Sequence, residues 1–242
     1  MIKKSVKSIG GIKSDKVVAL LIFAILGFIA LQLPINNLAG SGAKFTLFDV
    51  FAPISGSFLG TPLGLVSVLL MQIVNLAFHG FANMDKGVVI RLFPILFGAL
   101  FFSGVVKKNS AWLLLVPFAA IVSFNLNPVG RSVWYYSLYW TIPFLVYPFA
   151  KKSLVARSMS STFVAHSVGG AIWIWVFHFP AIFWQGLIPV IAFERGIMTL
   201  GICASYILMN NAIVFLSNKN KSKKFIFSGF NLDKKYFLGF VK

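Results

Sequence analysis

Acidic residues are scarce in this chain: 5 Asp+Glu stand against 22 Lys+Arg in 242 residues, a formal net charge of +17. No cluster of carboxylates is available to hold a divalent metal. Cysteine is scarcer still, and with Cys203 alone, inside an apolar run, no disulfide closes within the chain and no CxxC metal or redox pair exists. His79, His166 and His178 fall in three separate segments without a ligand spacing such as HExxH, so no metal site is expected. GxSxG, Walker A and strand-associated GxGxxG motifs are all missing. A nucleotide-hydrolysing motor, if the function needs one, is therefore another protein. No lysine lies inside an apolar run, which excludes a retinal Schiff base, and no cofactor or catalytic residue is assigned.

What the chain has instead is apolar surface: 58% of its residues are hydrophobic and 11% charged, with a mean hydropathy of +0.87. That is too apolar for a soluble domain, and several runs exceed the thickness of a bilayer core. The expected fold is an all-α, polytopic bundle in the cell membrane, with six to eight spans and both termini cytoplasmic. The positive charge falls between apolar runs and at both ends, a pattern of membrane orientation. Nucleic acid is not an expected partner, and the lipid bilayer is.

Three regions follow. Residues 1–16 form a basic cytoplasmic N-terminus, read as leading into an uncleaved first span because no small-residue cleavage site precedes Pro34. Residues 17–216 form the transmembrane domain, and 217–242 a basic, aromatic cytoplasmic tail suited to anionic lipid or to docking a partner. Apolar segments are predicted at 17–33, 45–59, 63–79, 87–106, 111–124, 132–150, 161–179 and 182–216. Pro189 is expected to break the last, leaving a continuous helix from about Ile191. The stretch PINNLAGSGAK, from Pro34 to Lys44, reads as a flexible polar loop, and Trp134, Tyr135, Tyr136, Tyr139 and Trp140 as an interfacial aromatic belt.

With eight spans, the inner side receives the N-terminal lysines, Lys107 and Lys108, Lys151, Lys152 and Arg157, and the lysines of the tail. Lys44, Lys86, Arg91 and Arg131 fall outside, and Arg195 within a span. The turn Gly60-Thr61-Pro62 is also inner in this scheme, yet carries no positive charge. Six spans plus a re-entrant hairpin at 45–79 give the same parity elsewhere, and charge counting does not separate the two.

That hairpin organises the chain. Gly56, Gly60 and Gly64 repeat every four residues, which bares backbone on one helix face and predicts a close packing seam. Gly169 and Gly170 are expected to do the same on their own helix. Pro53 and Pro62 each remove a backbone donor within apolar sequence, and such interrupted segments point to substrate sites in transport proteins. Asp49 lies one turn before Pro53.

Ionisable groups in a bilayer are expensive, so each is a candidate for function with a partner. Glu194 and Arg195 are adjacent, about 100° apart on a helix, and are expected to pair with different neighbours: Arg91 with Glu194, Asp49 with Arg195. They read either as a structural network that fixes register or as ligand contacts. His166, placed near the inner end of its span, reads as hydrogen-bonded structure or as a proton relay. On the outer half Asn75, Arg91, Asn125, Arg131, Trp134, Tyr135, Trp173 and Gln185 share a depth, which describes either a small-ligand pocket or an aromatic belt with arginine anchors.

The run FAPISGSFLGTPLGLVSVLL, followed by RLFPILFGALFFSG, resembles the second to fourth helices of substrate-binding S components of energy-coupling factor vitamin importers. The resemblance covers about Phe45 to Gly104. It implies a small helical protein that captures a vitamin-like solute from outside and passes it inward with a transmembrane coupling subunit and an ATPase pair. The Pro34 to Lys44 loop matches the loop that caps the site in that family, whose members have six helices. The leading expectation is thus a solute-binding importer subunit and not an enzyme. The others are an intramembrane enzyme using Glu194, Arg195 and His166 on a lipid-linked substrate, and a carrier coupled to protons through Asp49, Glu194 or His166.

Overall fold

The computed structural model describes residues 8–9, 12–37, 44–79, 86–219 and 227–239. Most of the N-terminal lysines, loop residues 38–43 and Lys221, Lys223, Lys224 and Lys242 of the tail lie outside the described residues. Among the described residues, four helices are long and apolar enough to cross a membrane: α1 (Ser14–Leu31), α4 (Thr61–His79), α5 (Lys86–Gly104) and α10 (Ala181–Lys219). The remaining helices are α2 (Phe48–Phe51), α3 (Ser55–Leu59), α6 (Leu115–Leu126), α7 (Pro128–Ser132), α8 (Ile142–Ala150) and α9 (Leu154–Val176), with 3-10 turns between them. The described residues are all-α but for two short antiparallel ribbons, β1 (Ser8–Ile9) with β2 (Ile12–Lys13) and β3 (Pro34–Asn37) with β4 (Lys44–Thr46).

The second ribbon replaces part of the predicted flexible loop. Pro34 faces Thr46, and Leu47 N donates to Leu33 O at 2.8 Å, so the chain leaves α1 and turns straight back. The segment 48–59 then descends as α2, a 3-10 turn at Ala52–Ile54 and α3. Pro53 starts that turn because it has no N–H to contribute to an α-helical ladder. The descent ends at Phe58, whose carbonyl accepts Asn231 N at 2.7 Å from the tail. The Gly60-Thr61-Pro62 turn therefore lies at the end of the bundle that also gathers Lys107, Lys151, Lys234 and Lys235. Its own lack of charge is made up by its neighbours.

Of the three seam glycines, two are in close contact. A Cβ on Gly64 would fall on the backbone of Gly56, and one on Gly56 would lie 2.5 Å from Ser103 Oγ. Gly60 packs on nothing. It sits at φ 89°, ψ 145°, a conformation that only glycine takes without strain, and reverses the chain between α3 and α4.

The helix at the centre is rich in small hydroxyl residues. α9 packs against α5, α6, α8 and α10, and its buried face holds Ser158, Ser160, Ser161, Thr162 and Ser167. A helix covered by protein over most of its surface needs little greasy surface, and small hydroxyl residues let its neighbours approach. Ser161 Oγ donates to Gly98 O across to α5 at 2.8 Å, while Ser160 Oγ turns back to Ala156 O at 2.9 Å. α9 begins at Leu154, capped by Ser153, and not at residue 161 as the hydropathy predicts. Arg157 consequently belongs to the helix and is buried, rather than lying in a loop.

α10 runs through Pro189 without a break, a second departure from expectation. The proline removes one rung from a ladder of 39 residues. Tyr139 Oη donates to the Ile188 carbonyl at 3.0 Å, a contact beside the proline, whereas the carbonyl that loses its helical donor is that of Gln185. At its far end Asn210 and Asn211 fasten the tail, each by a pair of backbone contacts: Asp233 to Asn210, and Tyr236 and Leu238 to Asn211. Residues 227–239 thus fold onto the bundle, with Phe230 buried, instead of lying free against lipid.

Candidate functional site

Two apolar clusters meet in the middle of the bundle. One is built on Phe23, Phe58, Phe102 and Tyr206, the other on Phe124, Tyr136, Trp140, Trp173 and Trp184. In the second, Phe124 stacks on Tyr136 at 5.4 Å and meets Trp140 and Trp184 edge-on, each at 5.1 Å. Rings locked in this way cannot collapse into the space beside them. A cavity of about 130 Å³ remains between the clusters, close to the volume that accommodates a benzene-sized guest.

One wall of that cavity is charged and the other aromatic. Asp49, Arg91, Glu194 and Arg195 stand on the first, and Tyr136, His166, Trp173 and Trp184 on the second, with Gly169 and Gly170 behind them. Gly170 makes room for Trp140, whose Cζ2 would lie 2.5 Å from an added Cβ. Trp140 Nε1 donates to His166 Nδ1 at 2.9 Å, and His166 Nε2 lies 3.3 Å from Tyr136 Oη. Because an indole N–H only donates, the proton of the neutral imidazole sits on Nε2, toward Tyr136. His166 is near the midpoint of α9, not its inner end, because the helix starts earlier than the sequence suggests.

The ion pairs are not the crossed pairs expected. Arg91 Nη2 lies 3.2 Å from Asp49 Oδ2, and Arg195 Nη2 lies 3.5 Å from Glu194 Oε2. Asp49 also accepts Thr46 N at 2.7 Å, and Arg91 donates to the Lys44 carbonyl, so this first pair clamps β4 to α5. Arg91 and Asp49 also line a second cleft of about 400 Å³ toward the ribbon end, together with Gln32, Lys44, Asn75 and His79. The clamp is the partition between cleft and cavity.

Arg195 is in a different condition. Its side chain is 6% exposed, Nη1 donates to Thr162 Oγ1 at 3.2 Å, and its Cζ lies 5.1 Å from the centroid of the Phe45 ring. Nε and Nη2 have no hydrogen-bond partner. The contact of Nη2 with Glu194 is long, at the outer limit of hydrogen-bond reach, because adjacent side chains on a helix diverge and the arginine has to bend back. Nε and Nη2 form one edge of the guanidinium fork, the edge that receives a carboxylate in bidentate fashion.

The remaining sequence candidates lie elsewhere. Asn75 Oδ1 accepts Gln32 Nε2 at 2.8 Å in the outer cleft. Asn125 is turned to Ile121 O and Ser137 Oγ. Arg131 is exposed, Trp134 is 56% exposed, and Tyr135 Oη accepts Gln185 Nε2 at 3.0 Å, all away from the cavity. Within the predicted belt, Tyr136 and Trp140 turn inward, four residues apart, while Trp134 and Leu138 turn out. Phe45, Thr162 and Trp184 are lining residues that sequence reasoning passed over, and Tyr136 is one that it assigned to the belt. The spacing of Tyr136 and Trp140 was the one available signal. Among the described residues no three of His, Cys, Asp and Glu come together as a metal site.

Compared with protein-family models, with curated proteins and with solved structures, the chain gives no match.

Proposed function

We propose that this chain is the membrane-embedded, solute-binding subunit of an importer for a vitamin-like molecule, of the energy-coupling factor kind. Its transmembrane coupling subunit and ATPase pair would be other chains. The observation that carries the reading is Arg195, a buried guanidinium on the cavity wall whose Nε has no hydrogen-bond partner and whose Nη2 has only a 3.5 Å ion-pair contact with Glu194. Leaving such donors buried costs on the order of 1–3 kcal/mol each, a cost that a bound acceptor relieves. Cavity size and aromatic wall favour a small, planar solute, and Arg195 favours one carboxylate upon it.

In this reading the eight apolar segments cross the cell membrane alternately. The lysine-rich end is cytoplasmic by the positive-inside rule, and the ribbon end with its cleft faces outward. Segment 48–59 is too short at 1.5 to 2 Å per residue to cover about 30 Å of hydrocarbon, and the ribbon beside it makes up the depth. Solute enters the cleft, passes the Asp49–Arg91 clamp and is held beneath Phe45.

Reconstitution tests the assignment. Purified chain alone in liposomes is expected to bind a radiolabelled planar monocarboxylate such as benzoate or nicotinate but not to accumulate it, with or without a pH gradient. Accumulation should require the co-extracted ATPase partners and ATP. Uptake by the chain alone, driven by a pH gradient and lost in Glu194→Gln, would establish a proton-coupled carrier instead, and chemical turnover of a lipid-linked substrate would establish an enzyme.

A further inference from the structure

A second site lies at the opposite end of the bundle, where the tail folds back. A groove of about 640 Å³ is bounded there by the Gly60 turn, the start of α9 and tail residues 231–236. It is basic: Lys107, Lys151, Arg157, Lys234 and Lys235 line it against a single acid, Asp233. The N-termini of α4 and α9 both open onto it, through Thr61 and Ser153, and each adds partial positive charge.

Charge alone would describe an ordinary cytoplasmic rim. Buried polar atoms without partners make the difference. Arg157 is 7% exposed, and its guanidinium stacks over Phe102 at 4.5 Å and Tyr206 at 5.0 Å. Stacking uses the faces of the guanidinium and leaves the edges to hydrogen-bond, yet Nε has no partner. Thr61 Oγ1 and Ser57 Oγ, on the same groove, are also buried and unpartnered. Asp233 is turned to its own backbone, where its Oδ1 accepts Lys235 N at 3.0 Å.

We propose that this groove binds a phosphate group. Arg157 and Thr61 hold it at the floor, and Lys107, Lys151 and Lys234 surround it at the rim. The chemistry is shared by a phospholipid headgroup and by soluble phosphate, and it is independent of what the cavity at Arg195 binds.

The test uses the full chain in an uncharged detergent. Native mass spectrometry counts phosphatidylglycerol retained per chain, with phosphatidylcholine as the control lipid. Thermal unfolding is followed in parallel against inorganic phosphate at constant ionic strength. Saturable one-to-one retention of phosphatidylglycerol, without a response to phosphate, identifies a headgroup site, and the converse identifies a soluble ligand. Either is expected to weaken about tenfold in the exposed double variant Lys107→Gln/Lys151→Gln, which leaves the packing untouched, and to vanish in Arg157→Met. Should Arg157→Met fail to fold, Thr61→Val, near in volume, is expected to weaken binding several-fold. No saturable binding of either probe would overturn the proposal. So would binding that falls with the two lysines but is indifferent to both Arg157→Met and Thr61→Val, since that is the behaviour of a diffuse basic surface.

Discussion

Arg195→Gln is expected to lower affinity for a planar monocarboxylate by at least about 100-fold, whereas Glu194→Gln leaves binding intact. Two charge-assisted hydrogen bonds from a guanidinium in a desolvated site contribute roughly 1.5–3 kcal/mol each, and 100-fold corresponds to about 2.7 kcal/mol. Removing Arg195 also strands Glu194, and breaking a buried pair destabilises by about 3–5 kcal/mol, so lost binding alone proves nothing. Two further variants separate the effects. Arg195→Lys keeps the charge and the fold but loses the fork, and should bind about tenfold more weakly. Glu194→Gln/Arg195→Gln removes both charges together. If the two residues served only to hold one another, the double variant would recover stability and binding alike. On the present account it recovers stability and still fails to bind, as read by isothermal titration and thermal unfolding in detergent.

The second large effect is on folding. Gly64→Ala places a methyl group against the Gly56 backbone and 2.8 Å from the Ser55 carbonyl carbon. No flexible side chain stands there to yield, and overpacking of this kind costs about 1–3 kcal/mol or more. Gly60→Ala meets no atom within 4 Å, but its φ of 89° strains any L residue, at about 1–2 kcal/mol. Gly196→Ala likewise meets nothing, within a regular part of α10, and should raise stability by up to about 1 kcal/mol. Thermal unfolding of the three single variants should fall in that order, with Gly64→Ala the least stable. Equal behaviour at positions 64 and 196 would mean that the seam between α3 and α4 is not closed.

The all-α class and the long apolar helices were legible in sequence because apolar length is a one-dimensional quantity. Asp49, Arg91, Glu194 and Arg195 do line one cavity, as their placement in apolar sequence suggests. The pairing among them was not legible. It depends on β4 carrying Lys44 and Thr46 to the side of α5, a tertiary event that decides Arg91 for Asp49. α9 was misplaced at its start for a related reason: a helix packed against protein over most of its surface is largely free of the need to be apolar, so Leu154 to Ser160 carries little hydropathy signal. At Pro189 the proline costs one rung of a 39-residue helix, and the rest of the ladder carries the helix through. The aromatic run at Trp134 to Trp140 held two populations, one outside and one inside, which only the curvature of its 3-10 helix separates.

The solute itself is the most direct test. Protein purified in mild detergent from cells grown in rich medium is denatured, and the small molecules it releases are identified and counted by mass spectrometry. The account predicts one planar, carboxylate-bearing compound per chain, close to benzene in bulk, present in the natural chain and in Glu194→Gln and missing from Arg195→Gln. Release of nothing but lipid and detergent from a folded chain, or of the same compound from the Arg195→Gln protein, would contradict it.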